Sequence, residues 1–338
     1  MNKLSVVIPF VNEWPQVIFT VQNIAQELMG RVDFEIIVVD NYCDQFKQQV
    51  SAQNLSKAKE AASTTDVDKI INIMSQFKSP EPDKGGEVLQ VCSGKINPWL
   101  KYAKWTKNLS HWQAKRIGVN MAEGDVYWFC DSHCIVSRDS VYGMYKYYID
   151  HYDKINGSMH MPLTYKILES RRLIYKLVTD MATGTVDYSF TPLRVYDNPF
   201  TVLCMSCCGI MISKELYEEV GGWPLELGIY SGGEQFMNFT LAVLGKNKWI
   251  YPAATLFHHG APRSYHYVYD NYIRNKMIAC YLYGGEAWVT LFSQHTKGRP
   301  ATLTAMKDDV IKKCKAQRDH IKARQVMTIQ DWVGKWTK

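Results

Sequence analysis

No stretch of the 338-residue chain approaches the roughly 18 to 20 continuous apolar residues that span a bilayer, so a membrane-spanning helix is not expected. Internal repeats and low-complexity segments are missing too, which argues against a solenoid or a disordered array. No G-x-G-x-x-G follows the first strand-like run, so a bound nucleotide would not be gripped by a glycine-rich phosphate loop. The nine cysteines are odd in number and scattered, which fits reduced thiols in a cytoplasmic setting better than a disulfide framework. Cys130-x-x-x-Cys134 and Cys204-Met-Ser-Cys207 lack the flanking residues and spacing of a zinc module and read as small buried hydrophobes. Met1-Asn2-Lys3-Leu4-Ser5 leads straight into a strand-like run and shows no signal-peptide pattern.

What is present points to a folded globular chain. Twenty-one tyrosines and ten tryptophans argue against disorder, and the length allows one or two domains. The net charge of +6 is uneven. Between 297 and 338 stand eleven Lys and Arg against four acids, and the remainder is close to neutral. Such a patch suits a polyanion or an anionic membrane surface, or is simply a solvated helix face.

Leu4–Phe10 reads as a strand, and Val17, Val21, Ile24 and Leu28 form one stripe of a helix closed by Gly30. Phe34–Asp40 is a second strand, so the opening predicts a βαβ unit and a parallel sheet. Residues 44–87 read as a polar helical excursion and a loop, ending near Ser79–Gly86. Val88–Cys92 is a third strand. Residues 99–121 read as one helix with Trp105, Trp112 and Ile117 inward, and 139–152 as another. From 160 to 205 periodicity is weak, which suggests irregular structure around a cleft. Strands at 209–213 and 248–251 and helices at 214–220 and 231–244 complete the pattern, with Phe257-His258-His259-Gly260 after the last strand.

The most informative stretch is Val-Tyr-Trp-Phe-Cys-Asp-Ser-His-Cys at 126–134. Its apolar run after Glu123-Gly124-Asp125 reads as a buried parallel strand. Asp131 and His133 face the same way while the chain stays extended, at the strand end where open α/β sheets bind ligands. An O/N pair suits a divalent ion such as Mn²⁺, which can hold a diphosphate. The same residues could simply turn the chain.

In order, these motifs resemble nucleotide-sugar glycosyltransferases of the GT-A fold, family 2 and its relatives, from Leu4 to about Arg263. Ser5-Val-Val-Ile-Pro9-Phe-Val-Asn12-Glu13 is similar to that group's first strand and Pro-x-x-Asn-Glu turn, and Val38-Val39-Asp40 to its second strand. Ala114-Lys-Arg116-Ile-Gly118 with Ala122-Glu-Gly124-Asp125 resembles its A-R-x-x-G … A-x-G-D segment. Asp131-Ser132-His133-Cys134 and Ser231-Gly232-Gly233-Glu234-Gln235 resemble the Asp-Ser-His-Cys and W-G-G-E-N segments of polypeptide N-acetylgalactosaminyltransferases. Ser231 and Gln235 depart from the Trp and Asn of the latter, and a C-terminal lectin domain is not expected.

The resemblance implies an α/β, Rossmann-like GT-A domain over 1–265, with a mostly parallel sheet flanked by helices. Its nucleotide-binding half would span 1–135 and its acceptor half 136–265, and 266–338 would be a helical basic extension. It implies Mn²⁺ or Mg²⁺ on Asp131, His133 and His259, with His258 the close alternative. Pro9, Asn12, Glu13, Asp40, Arg116 and Asp131 would serve the nucleotide side, and Arg263 would face the diphosphate. Glu234 would act in the acceptor cleft, as base in an inverting reaction or as an orienting group in a retaining one. An acid at a helix start is the plainer reading of the same residue. The expected activity is sugar transfer from a UDP-sugar to a hydroxyl, in the cytoplasm of a bacterial or virus-infected cell. A hydroxymethylated base of phage-type DNA would suit the basic region, through Lys312, Lys313, Lys315, Arg318, Lys322 and Arg324. A protein or glycan acceptor, a non-catalytic sugar-nucleotide binder and a nucleotidyltransferase are the alternatives.

Overall fold

The computed structural model describes residues 3–13, 16–46, 48, 88–93, 98–165, 171–195, 197–259 and 265–336. Most of the polar excursion at 44–87, and Arg263, lie outside them. The opening is as the periodicity predicts. Strand β1 (Lys3–Phe10), helix α1 (Gln16–Leu28) and strand β2 (Asp33–Asp40) form a parallel βαβ unit, with Val17, Val21, Ile24 and Leu28 buried.

The single helix expected over 99–121 is instead strand β4 (Leu100–Trp105) followed by helix α2 (His111–Asn120). β4 pairs in parallel with β2 and antiparallel with β3 (Val88–Ser93), and this pairing overrides the local pattern. The helix starts at Ser110, whose hydroxyl accepts from the Gln113 N–H. Gly118 lets α2 lie against β1, because a Cβ there would meet a Val7 methyl at 2.5 Å.

Strand β5 (Val126–Phe129) is wholly buried beside β1. Next come β6 (Cys134–Val136), α3 (Ser140–Asp150), α4 (Tyr152–Ile155), β7 (Gly157–His160) and β8 (Leu163–Thr164). Residues 160–205, expected to be irregular, hold a long hairpin of β9 (Leu173–Asp180) and β10 (Thr185–Pro192). Much of this ribbon is solvated along its length, so the usual alternation is damped in its sequence. Then follow β11 (Phe200–Val202), β12 (Ile210–Ser213), α5 (Lys214–Glu219), α6 (Gly233–Val243), β13 (Asn247–Ile250) and β14 (Leu256–His258).

The main sheet runs β11-β13-β7-β12-β5-β1-β2-β4-β3. Its centre, β5-β1-β2-β4, is parallel, and β12 extends it antiparallel from β5. A second sheet, β10-β9-β8-β14-β6, stands beside the ends of β5 and β1. Helices α7 (Tyr269–His295), α8 (Pro300–Lys322) and α9 (Ile329–Gly334) close the chain, and Met277, Leu282, Val310, Ile321 and Val333 join the same core. Among the described residues, no helix is long and apolar enough to cross a membrane.

Four charged side chains stitch the amino-terminal end of the central strands. Buried Glu35 accepts from Ser5 Oγ, the Glu123 N–H and Lys101 Nζ, each at 2.6 Å. Glu123 in turn meets Lys101 at 2.7 Å and Lys3 at 2.8 Å.

Candidate active site

β1 and β5 lie side by side in parallel, β5 ending opposite Val7 and β1 at Phe10, and the segments leaving them meet. The chain leaving β1 turns at Asn12, in the left-handed region at φ 53°, and brings Glu13 over the end of β5. The chain leaving β5 carries Cys130 to His133 and then enters β6. Helix α1 holds this segment with side chains at i, i+3 and i+7. Thr20 Oγ1 lies 2.8 Å from the carbonyls of Ser132 and Cys134 and accepts from the Cys134 N–H. Asn23 exchanges two hydrogen bonds with the backbone of Val136, and Glu27 accepts from the Asp139 N–H.

His133 is oriented by Glu13, which accepts from Nδ1 at 2.9 Å and from the Ser132 hydroxyl at its other oxygen. The far nitrogen of His133, Nε2, faces His258 Nε2 at 3.2 Å. That same His258 atom is 3.3 Å from Asp131 Oδ2, and Lys115 Nζ is 3.2 Å from Asp131 Oδ1. His258 arrives on β14, which pairs antiparallel with β6 and sets His258 opposite Cys134.

Burial disfavours the charged forms of Asp131, His133, His258 and Lys115, yet mutual attraction outweighs it at all four. Burial pushes the Asp131 carboxyl up, but Lys115 and then the two histidines hold it well below the usual carboxylate range. Burial pulls His133 down, but its bond to Glu13 and the Glu13 charge lift it to about 9. His258 is also raised, against burial, by Asp131. Glu234 is the exception: burial raises it to about 7 although Lys115 pulls the other way.

The donor set fits a divalent cation. His258 Nε2 stands between the other two groups, 3.2 Å from His133 Nε2 and 3.3 Å from Asp131 Oδ2, and two imidazoles with a carboxylate are the donor types such an ion takes. The bond from His133 Nδ1 to Glu13 leaves Nε2 as the ligating atom, the arrangement by which an outer carboxylate fixes a metal-binding histidine.

The structure brings together some of the residues singled out from the sequence and separates others. His258 joins Asp131 and His133, whereas His259 is exposed and reaches the cluster only through its backbone N–H to the His133 carbonyl. Adjacent residues at a strand end point to opposite sides. Arg116 does not face Asp131. It donates to the carbonyls of Gly221 and Trp223, and its neighbour Lys115 makes the contact. One residue along a helix turns a side chain by about 100°, and the A-R-x-x-G spacing itself sets the cation at 115, directly after Ala114.

Asp40 is fully buried, with one oxygen taken by the Tyr42 N–H and the other by the Tyr102 hydroxyl, so it braces the turn after β2 instead of facing a nucleotide. Pro9 is buried within β1, paired with Val39. Asn12 shapes the turn, and Glu13 serves His133. Glu234 begins the first turn of α6 on the same side as Lys115 and Asp131. The preceding glycines are obligatory there: a Cβ on Gly232 would lie 2.4 Å from the Asn275 carbonyl, and one on Gly233 2.3 Å from the Trp112 ring. Gln235 holds Asp187 of β10 at 2.9 Å. Lys115 and Thr20 were not marked by the sequence; a polar i, i+3, i+7 set on α1, opposite its apolar stripe, was the available signal for Thr20.

This architecture recurs in known structures. A crystal structure of GalNAc-T7 with UDP, GalNAc and Mn²⁺ matches with a TM-score of 0.60 at 15% identity, over 92% of this chain. The chain spans about half, 54%, of the length of that protein. A crystal structure of S. aureus TarS 1–349 in complex with UDP-GlcNAc matches with a TM-score of 0.50 at 11% identity, over 93% of this chain and 73% of that one. Comparison with protein-family models and with curated proteins gives no match. The chain is an α/β protein. Its fold is GT-A, with a helical C-terminal region.

Proposed function

We propose that this protein is a divalent-cation-dependent glycosyltransferase that moves a hexosyl or N-acetylhexosaminyl group from a nucleoside-diphosphate sugar, UDP-linked by preference, to a hydroxyl. One observation carries the proposal: Asp131, His133, His258 and Lys115 come together at the carboxyl end of β5 in a GT-A sheet, with Glu234 within reach of the Lys115 charge. The UDP and Mn²⁺ in the GalNAc-T7 structure, and the UDP-GlcNAc in the TarS structure, support the donor class.

Asp131, His133 and His258 hold the cation. Once bound, such an ion offsets the negative charge that develops on the departing diphosphate. Glu13 presents His133 by its Nε2 lone pair. Lys115, buried between Trp112 and Trp223, keeps Asp131 ionised and adds positive charge beside the diphosphate. Glu234 is a carboxylate above about pH 7 and accepts a hydrogen bond from the acceptor hydroxyl. In an inverting path it takes that proton, and in a retaining path it holds the hydroxyl in place. Arg263 remains the proposed second partner of the diphosphate.

For the acceptor, a hydroxyl on a polyanion such as modified DNA draws on fewer cations than the sequence suggests. Arg318 is buried, donating to the Leu282 carbonyl and to Gln325. Lys313 and Lys315 pair with Asp309 and Asp319. Gln317 and His320 dock α8 onto Glu218–Gly222, toward the start of β5 and away from Asp131. Peptide and glycan hydroxyls need none of this charge and are the better-supported acceptors.

Calorimetric titration of UDP in Mn²⁺ and in EDTA tests the proposal, alongside release of free sugar from UDP-hexoses. Tight binding only with Mn²⁺, lost in His133→Ala, is expected. Equal affinity with and without the ion would overturn the cation's role.

A further inference from the structure

Three sulfurs meet directly behind the Asp131–His133 segment. Cys130, Cys134 and Cys208 are buried, and their Sγ atoms all lie within 4.8 Å of one another, with Cys134 and Cys208 at 3.5 Å. They come from three places in the sequence's path through the fold: the end of β5, the start of β6 and the loop before β12. Each is anchored through its own backbone. The Cys130 N–H donates to the Val7 carbonyl, that of Cys134 to Thr20 Oγ1 and that of Cys208 to Ser206 Oγ.

Small core residues have no need to converge. Four tetrahedral ligands at the zinc–sulfur distance put sulfurs about 3.8 Å apart, so closing this triad on an ion takes shifts of a few tenths of an ångström to about one ångström. A fourth donor is at hand, since Asp131 and His258 offer atoms within 4.8 Å of the Cys208 sulfur. We propose that Cys130, Cys134 and Cys208 form a thiolate site for a soft divalent ion, Zn²⁺ in the first instance, with His258 or Asp131 completing it. The site shares its fourth ligand with the O/N set of Asp131, His133 and His258 and differs from it in chemistry: thiolates select zinc, and carboxylate with imidazole accommodates Mn²⁺. Its entry path is the cleft, where Asp131 and His133 are about a quarter exposed. Cys130 and Cys134 bracket those two residues, so an ion on the sulfurs would clamp the segment at both ends. Neither cysteine spacing in the sequence announced this, because the third ligand comes from a separate loop.

The test uses the full-length reduced protein titrated with Co²⁺ as a spectroscopic stand-in for Zn²⁺. We expect one equivalent to give an intense thiolate-to-cobalt charge-transfer band with tetrahedral visible bands, bleached by Zn²⁺. The band should disappear in Cys130→Ser and Cys208→Ser and persist in Cys204→Ser and His133→Ala. As a check free of folding defects, Zn²⁺ should protect Cys130, Cys134 and Cys208 of the unmutated chain from alkylation, mapped by mass spectrometry, and leave the other thiols as they were. A weak octahedral spectrum, or equal alkylation with and without Zn²⁺, overturns the proposal. Mn²⁺-promoted UDP binding is scored separately, so a missing cobalt band and a missing nucleotide site are told apart.

Discussion

The two ends of the central strands carry similar numbers of charged groups and use them in opposite ways. At the amino-terminal end, the carboxylates of Glu35 and Glu123 are matched in charge by Lys3 and Lys101, each lysine pairing with both acids. At the carboxyl end, two histidines face each other nitrogen to nitrogen, and His258 Nδ1 has no partner. The first arrangement balances two acids with two lysines inside the chain. The second sets imidazole against imidazole, the arrangement proposed above to take a cation. The end that ties the sheet together by ion pairs and the end proposed to react are thus separated by the length of β5.

The widest gap between the ends should appear in His258→Ala. Donor turnover with Mn²⁺ should fall about 10²- to 10³-fold, with the thermal midpoint hardly moved. A collapse in stability equal to the loss in rate would erase the distinction. The mirror variant, Glu35→Gln, leaves Lys101 facing a neutral group in a buried network. It should cost about 3 kcal/mol in denaturant unfolding, with turnover at 25 °C retained. Loss of activity in protein that is still folded would show the two ends to be coupled.

A finer probe is the Glu234 carboxyl, which burial raises to about 7. If the carboxylate is the working form, turnover should rise about tenfold from pH 6 to pH 8, and Glu234→Gln should flatten that rise. An unchanged profile in the variant would remove Glu234 from the reaction. The smallest effect belongs to Glu123, lowered to about 2 by its bonds to Lys101 and Lys3. A lowered carboxyl stabilises the fold above its unfolded value of 4.5, and the contribution fades as pH falls toward 2. Because Glu123 is largely exposed, the loss should be no more than about 1 kcal/mol, read from urea midpoints against Glu123→Gln.

Much of this was legible before any coordinates. β1, α1, β2 and β5 follow from apolar runs and one helical stripe, because they form the sheet's interior and its cover. Asp131 and His133 were readable since they sit at the end of a strand whose burial is plain. β4 was not, because its strand state is imposed by β2 and β3 on residues that also suit a helix. The β9–β10 ribbon was hidden by its exposure. His258 could not be separated from His259, nor Lys115 from Arg116, without the register of β14 and the rotation of α2. Arg318 looked like a surface cation because a sequence does not show that the Leu282 carbonyl needs a donor.

The grip of α1 on the segment after β5 has a consequence for how such a protein changes over time. A strand zipped to another strand owes its alignment to peptide groups, which substitutions other than proline leave in place. Among the described residues, β6 has a strand, β14, on one flank only. On the other, Thr20, Asn23 and Glu27 stand in for a backbone ladder. Three codons therefore set how far His133 projects, and each can drift on its own while the sheet stays intact. Ligand geometry becomes an adjustable trait of a helix surface, open to selection one hydrogen bond at a time.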